Sequence, residues 1–557
     1  MKGQKIKNVI RSILFVLVFF ILLYGVNGLL AEKWWYPMFA ESPAYQYREL
    51  YETDLSDLQA VFLGTSHMEM AIDPMLIYKE KGFITFNMAS SSQPTEGSYY
   101  ALEEVFRLSS PKYVFFDVGK LFSSSGYTAY RLIFENMQWG LPKLKFIKKW
   151  AMLADEEYRL QRLISAFFPI HEYHDRWESL TEQDFTNEAG KRHYYRKGYY
   201  FRQTIGNTDL ITAERMNWEA EQRNQKKIRR ITIENGEETV FEKDSIGTYN
   251  PEISVGDQEM IVKIAELCQM HNARLVLVKI PSIRLPQRYL GAWTKQRSEK
   301  TKELAELLKV DFIDLLYDYD IGLDWEKDTF DNGMHLNYTG SMKATRFFEE
   351  YLENAGLSSI SCASYDDDMA VYDKVCCLAE LLEIRDFGPY FRTIRDLKDV
   401  SILIAARDDM RNSLSQEDID LIKSLGVQTK IEEMKYSDAF AAVIDNGESI
   451  YEETSSVDIS HEGVLSDGIP YQLFSSGFQE KDESRIIIKG KEYSCNQRGI
   501  NVVIYDHESG LVIDTASFDT YASDNPKTSR GQTILNSLFR EYEEWCMRQG
   551  YRESSNK

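Results

Sequence analysis

No two cysteines stand at C-x-x-C spacing in this chain, and the six present (Cys268, Cys362, Cys376, Cys377, Cys495, Cys546) follow no regular interval. Neither a zinc site nor a disulfide framework is indicated, and free thiols are expected. Positive charge is also short. Against 87 Asp and Glu stand 65 Lys and Arg, a net charge of −22. Without a basic face to neutralise phosphates, nucleic acid is excluded as the main partner. Histidine is rare, eight in 557 residues, so the position of each is informative. Long apolar runs are almost missing: apart from Ile13 to Leu30, nothing of that length and apolarity occurs downstream.

That one run sets the expected compartment. It carries no charge and a single strongly polar residue, Asn27, and it follows Lys2, Lys5, Lys7 and Arg11. Eighteen such residues can span a bilayer, and basic residues on the N-terminal side keep that side in the cytoplasm. The expectation is a cytoplasmic N-terminus (1–12), a membrane anchor (13–30) and everything beyond about residue 31 outside the cell membrane. Trp34, Trp35 and Tyr36 then fall at the interfacial aromatic belt. A cleaved signal peptide is the competing reading; the run is long for one, and no small-x-small site follows it.

Past the anchor, apolar runs alternate with helical stretches. Ala60–Leu63, Ile84–Met88 and Tyr113–Val118 read as buried parallel strands, with a helix over Ser98–Leu108. Residues 123–250 are rich in Tyr, Trp, Arg and Glu and read as a mostly helical insertion. The rhythm resumes with a helix over Gln258–His271, a strand over Ala273–Ile280, a helix over Gln296–Leu308, a strand over Val310–Asp314 and a closing helix over Ser341–Glu353. This is an α/β pattern. A Ser- and Asp-rich stretch, 356–371, reads as a linker, with Asp366, Asp367 and Asp368 solvated. Beyond it, strand-like segments at Val400–Ala405, Ala441–Ile444, Arg485–Ile488, Ile500–Tyr505 and Leu511–Ile513, with a helix over Ser415–Leu425, read as an α+β domain ending in a helical tail, 523–557.

Two segments carry chemistry. Gly64-Thr65-Ser66-His67 follows the first strand, and Asp328-Thr-Phe-Asp331-Asn332-Gly-Met-His335-Leu-Asn337 precedes the closing helix. A serine hydroxyl needs an imidazole to take its proton and a carboxylate to hold that imidazole in one tautomer, and these segments supply all three. An α/β-hydrolase would instead place G-x-S-x-G in mid-chain.

With the Asn87-Met-Ala-Ser-Ser-Ser92-Gln93 loop after the second strand, these segments resemble the SGNH/GDSL hydrolases over residues 57–355, and within them the membrane-anchored members related to the DltD and alginate-acetylation proteins. The resemblance implies a flavodoxin-like three-layer fold with a parallel sheet. It assigns Ser66 as nucleophile and His335 as base. The family's acid usually stands three residues before the histidine, where this chain has Asn332, so Asp331 is the first choice and Asp328 the second. The Ser66 N–H and that of Ser92 would hold the oxyanion, with Asn87 a further oxyanion or substrate residue and His67 in a structural or substrate-contact role; the third-block G-x-N is missing from Asp117-Val-Gly-Lys120. It further implies a polysaccharide or other glycan substrate, a membrane-bound O-acyltransferase partner and no cofactor. The alternative is an inert scaffold that binds glycan or serves assembly.

A second resemblance lies in the C-terminal part. Gly477-Phe478, Arg498-Gly499-Ile-Asn501 and Phe518-Asp519-Thr520, with Val400 to Asp409 and the helix ending at Leu425-Gly426, are similar to the interleukin-like EMT inducer (ILEI/PANDER) domain over 372–522, in permuted order. The resemblance implies a non-catalytic, sugar-binding module.

Overall fold

Strands that are apolar on both faces must be covered on both faces, and the first part of the chain does this with a parallel sheet between helices. The computed structural model describes residues 2–31, 41–122, 126–186, 193–201, 228–234, 237–243, 252–282, 290–325, 327–330, 333–522 and 532–555. The chain divides into two compact units, Met1–Met369 and Ala370–Lys557.

The first unit opens with α1 (Lys2–Leu30) and α2 (Glu41–Glu52), then alternates β1 (Ala60–Leu63), α3 (Ser66–Ala71), α4 (Pro74–Lys81), β2 (Thr85–Asn87), α5 (Thr95–Leu108) and β3 (Tyr113–Asp117). Next come α6 (Tyr127–Asn136), α7 (Leu141–Met152), α8 (Glu156–Phe167), α9 (Ile170–Tyr173) and α10 (Glu182–Thr186). The hairpin β4 (Ile228–Glu234) and β5 (Glu237–Lys243) leads to α11 (Val255–Met270), β6 (Arg274–Lys279), α12 (Leu290–Leu308), β7 (Asp311–Asp314) and α13 (Tyr338–Asn354).

The sheet order is β2-β1-β3-β6-β7, with every neighbouring pair parallel. The chain starts at β1, steps outward to β2 and returns on the other side at β3. That reversal opens a crevice past the C-terminal ends of β1 and β3, where open α/β sheets place their ligands. On one face Ala60, Phe62, Phe115, Val276, Val278 and Ile313 pack with Phe348 and Leu352 of α13. Phe348 meets the rings of Phe62 and Phe115 edge-on at 5.6 and 5.1 Å. The alternate residues Val61, Leu63, Val114, Phe116, Leu275 and Leu277 are buried on the other face.

α1 has one stretch, Lys7–Leu30, long and apolar enough to cross a membrane, with mean hydropathy 2.6. Two expectations change. The 123–250 insertion holds an antiparallel hairpin, β4–β5, besides its helices. The expected linker is largely helix: α14 (Ala363–Glu383) begins inside it, and the division between the units falls within α14. Asp368 is not solvated but 1% exposed, paired with the Lys197 ammonium and the His193 ring. Asp366 accepts a hydrogen bond from the Tyr78 hydroxyl at 2.6 Å. Acidic residues at the start of a helix favour its N-terminal dipole, and here they also serve as tertiary partners.

The second unit continues through α15 (Phe387–Asp396), β8 (Val400–Asp408), α16 (Gln416–Lys423), β9 (Ala439–Asp445), β10 (Glu448–Ser455), β11 (Ile459–Val464), β12 (Pro470–Gly477), β13 (Ser484–Ile488), β14 (Lys491–Glu492), β15 (Gly499–Asp506), β16 (Leu511–Phe518) and α17 (Gln532–Ser555). β16, β15, β8, β9 and β10 form an antiparallel run. β12 joins the end of β8 in parallel and carries β11 on one side and β13 on the other. Strand β10 was not legible in advance because its polar residues lie on a half-exposed edge, where alternation is weak. Phe387, Tyr390 and Phe391 of α15 close over Phe518, with ring centroids 5.1, 5.1 and 5.7 Å away.

Candidate active site

The serine turn is built by three loops meeting beyond the strand ends. Gly64 has φ +136, and a methyl group there would fall 2.5 Å from the Asp117 Cβ, so the turn needs glycine. Asp117, fully buried at the end of β3, accepts hydrogen bonds from the Thr65 hydroxyl at 2.6 Å and the Thr65 N–H at 3.3 Å. Its other oxygen accepts from the Gly119 N–H at 3.1 Å. Thr65 then caps α3, its Oγ1 accepting from the His67 N–H. The second-strand loop is stitched alongside, since Met88 N donates to Phe62 O at 2.7 Å and Ser90 N to Gly64 O at 3.1 Å. Ser66 is therefore the first residue of a helix, where its N–H lies outside the i→i−4 ladder.

The histidine arrives from the far end of the unit. Thr329 and Leu336 form a bridge, Asn337 N donates to Asp328 O at 3.0 Å, and Asn337 Oδ1 caps α13 by accepting from Gly340 N at 3.1 Å. This loop brings His335 Nε2 to 2.8 Å from Ser66 Oγ, across 269 residues of sequence. Both residues are half-buried and reachable from solvent. The His335 ring is flanked by the His67 ring, centroids 4.6 Å apart and planes at 25°, and by the Phe330 ring at 5.6 Å and 23°.

His67 does not reach the serine as a second base. Burial, then the neighbouring His335 and Lys279, push its pKa well below the ordinary imidazole value. A neutral His67 ring adds no charge of its own to the stack on His335. Its Nδ1 is enclosed and makes no hydrogen bond among the described residues.

Asp331 lies outside the described residues, as does Asn332. Asp328, the second choice for the acid, is 2% exposed and occupied elsewhere. Its Oδ1 accepts from the Thr339 hydroxyl at 2.8 Å, and its Oδ2 from Asp324 N and Lys343 Nζ, both at 2.7 Å. It holds the loop to α13. Asn87 is fully buried, with its amide donating to Met68 O at 3.1 Å and Ile72 O at 3.0 Å and accepting from Ala89 N at 3.1 Å. It ties α3 to β2 and so positions the serine helix. Ser92 sits on an exposed turn with φ +54.

Three contributors escaped the sequence reading. Asp117 belongs to no catalytic motif, although an acid at the end of a strand beside a glycine turn is a recognisable anchor. Phe330 and the aromatic cluster of Tyr45, Tyr194 and Tyr200 around Met70 come from separate segments that share no local signal. Among the described residues, no group of three or more His, Cys, Asp and Glu side chains converges as metal ligands would.

The second unit holds a similar-looking trio. Ser401 Oγ lies 2.9 Å from His507 Nε2, and His507 Nδ1 lies 3.1 Å from Asp467 Oδ2. Ser401 is fully buried in β8 and also donates to Asp445 Oδ1 at 2.9 Å, which leaves no space for a substrate carbonyl. The trio is a structural clamp. Gly499, at φ +94, starts β15 where a methyl group would collide with the Phe518 carbonyl. Asp409 accepts from the N–H groups of Arg411, Asn412 and Ser437 at 2.9, 2.8 and 3.1 Å, and Asp519 pairs with Arg498 at 2.6 Å. These acids cap turns.

A family model described as interleukin-like EMT inducer matches residues 498–540, covering β15, β16 and the start of α17. The match supports the ILEI-like reading of the C-terminal domain and extends past the 522 boundary expected for it. No curated protein sequence matches this chain.

Proposed function

We propose that this protein is a membrane-anchored, extracytoplasmic serine esterase or O-acyltransferase of the SGNH type, acting on ester groups of a cell-envelope or secreted polysaccharide. The observation that carries the reading is the 2.8 Å approach of Ser66 Oγ and His335 Nε2 at the C-terminal end of a parallel sheet. Counting only its own strands, that sheet has the order 2-1-3-4-5 of flavodoxin-like folds, which supports the SGNH assignment. The apolar helix α1 and its basic flank support the anchor. The ILEI match supports an ILEI-like C-terminal domain, to which this reading gives a glycan-binding role.

His335 takes the hydroxyl proton as Ser66 Oγ attacks the acyl carbonyl carbon. The tetrahedral oxyanion is met by the Ser66 N–H, worth most when the charge develops. Collapse expels the sugar oxygen, which takes the proton from His335, and leaves an acyl-serine. A second hydroxyl, of an acceptor sugar or of water, then repeats the sequence in reverse. Transfer with a membrane-bound O-acyltransferase partner and net hydrolysis use the same residues.

A fluorophosphonate probe tests the reading, since it phosphonylates only an activated serine. The full chain should label at Ser66, and Ser66→Ala and His335→Ala should both lose labelling. A folded wild-type chain that does not label, yet binds glycan, identifies the inert binding protein instead. The anchor is tested separately: residues 1–30 should persist in the mature chain, which should stay with the membrane in alkaline carbonate.

A further inference from the structure

Helix α8 is inside out. Its buried positions are the small residues Ser165 and Ala166, while Leu160, Ile164, Phe167 and Phe168, spaced i, i+4, i+7 and i+8, form an exposed apolar stripe. Leu160 is 68% exposed. Trp139, 60% exposed, stacks on Phe167 at 5.6 Å and carries the patch towards α7. A contiguous apolar stripe on the outside of a folded unit marks a surface that something covers.

The same segment is fastened to the outer end of α1. Ile170, two residues after Phe168, donates its N–H to Asn27 Oδ1 at 2.8 Å. The Arg176 guanidinium caps the end of α1, donating to Ala31 O at 2.6 Å and approaching the carbonyls of Leu29 and Leu30 at 3.3 and 3.4 Å. Trp177 follows, 66% exposed. Asn27 lies three residues before the end of α1 at Leu30, about 4.5 Å along the axis, close to the depth of about 5–10 Å at which interfacial helices bury their apolar face. The acidic residues Asp155, Glu156 and Glu157 gather at the opposite end of α8, about 18 Å away along the helix.

We propose that the segment from Trp139 to Phe185 rests on the outer leaflet of the bilayer that α1 crosses, with the α8 stripe, Trp139 and Trp177 dipped into the lipid. The inference rests on the anchor reading. Lipid is the occupant because the patch is continuous with the end of the membrane helix, and tryptophan with aliphatic residues is the composition that the interface favours. The second anchorage fixes the catalytic unit against the membrane instead of leaving it on a tether.

The full chain in nanodiscs of phosphatidylcholine and phosphatidylglycerol with brominated acyl chains tests this through tryptophan quenching. The double variant Trp139→Phe, Trp177→Phe should lose a substantial part of the quenching. A Trp34→Phe, Trp35→Phe pair, next to the apolar run in sequence, reports on the anchor alone. Quenching that depends on Trp34 and Trp35 but is unchanged in the Trp139, Trp177 pair overturns the seat while the anchor stands. A mature chain lacking residues 1–30 overturns both. A photo-crosslinker at Phe168 in native membranes should capture lipid, and capture of a protein there overturns the lipid assignment.

Discussion

Of the two imidazoles beside the serine, His335 approaches its oxygen at 2.8 Å, while His67 lies against the face of His335. On the proposed reading His335 is the base and His67 a positioning ring. His67→Ala is expected to lower kcat by about 100-fold, the scale of a misplacement near 1 Å, with KM little changed. His67→Phe should restore most of the loss, because the stack needs a ring and not a titrating group. Steady-state kinetics on a chromogenic ester decides the matter: a rise in KM with unchanged kcat would instead make His67 a substrate contact.

At the scale of elements, α14 begins by closing a charge network, not by spanning a gap. Lys197 and Asp368 are both buried and paired, Tyr365 donates its hydroxyl to Thr85 O at 2.6 Å, and the Lys197 ammonium lies 4.9 Å from the Tyr365 ring. The Lys197 and Gly198 N–H groups donate to the Glu49 carboxylate at 2.8 and 3.0 Å, which fastens the middle of the insertion to α2. Removing one member of a buried pair strands the other charge. Asp368→Ala should therefore cost about 3–5 kcal/mol, against about 1 kcal/mol for Asp366→Ala, whose Tyr78 partner keeps the Cys362 carbonyl within reach at 3.4 Å. Chemical denaturation followed through the first unit's transition measures both; equal losses would mean that the network contributes only packing.

Across the whole molecule, each unit carries its own electrostatic fastening, and the second unit's is pH-sensitive. Burial opposes charge on His507, but the carboxylates of Asp467 and Asp445 outweigh it and raise its pKa above the ordinary 6.5. Those two carboxyls are held below their ordinary 3.8 against the opposing effect of burial, Asp445 chiefly by the Ser466 N–H and Asp467 chiefly by His507. A histidine whose folded pKa is raised contributes stability that is fully present below pH 6.5 and is lost as pH rises through the folded value. The melting-temperature gap between wild type and His507→Gln should then be widest near pH 5.5, where the acids stay ionised, and narrow towards about pH 9. A gap independent of pH would assign the clamp to hydrogen bonding alone.

The alternation of apolar strands and helices, the apolar helix at the start, and the serine and histidine themselves were legible in the sequence, because periodicity, turn chemistry and residue type are local properties. Ala60–Leu63 and Arg274–Lys279 could hardly be anything but buried strands. Partner choice is not local. Asp328 and Asp368 look alike as exposed acids in polar stretches, yet the fold turns one to Lys343 and the other to Lys197. Asn87 looks like a site residue and is consumed in holding α3 to β2. By itself the sequence determined which groups were available for chemistry. Only the tertiary structure decided which of them meet, because contacts closed over hundreds of residues depend on where the sheet, its loops and the returning insertion bring the backbone.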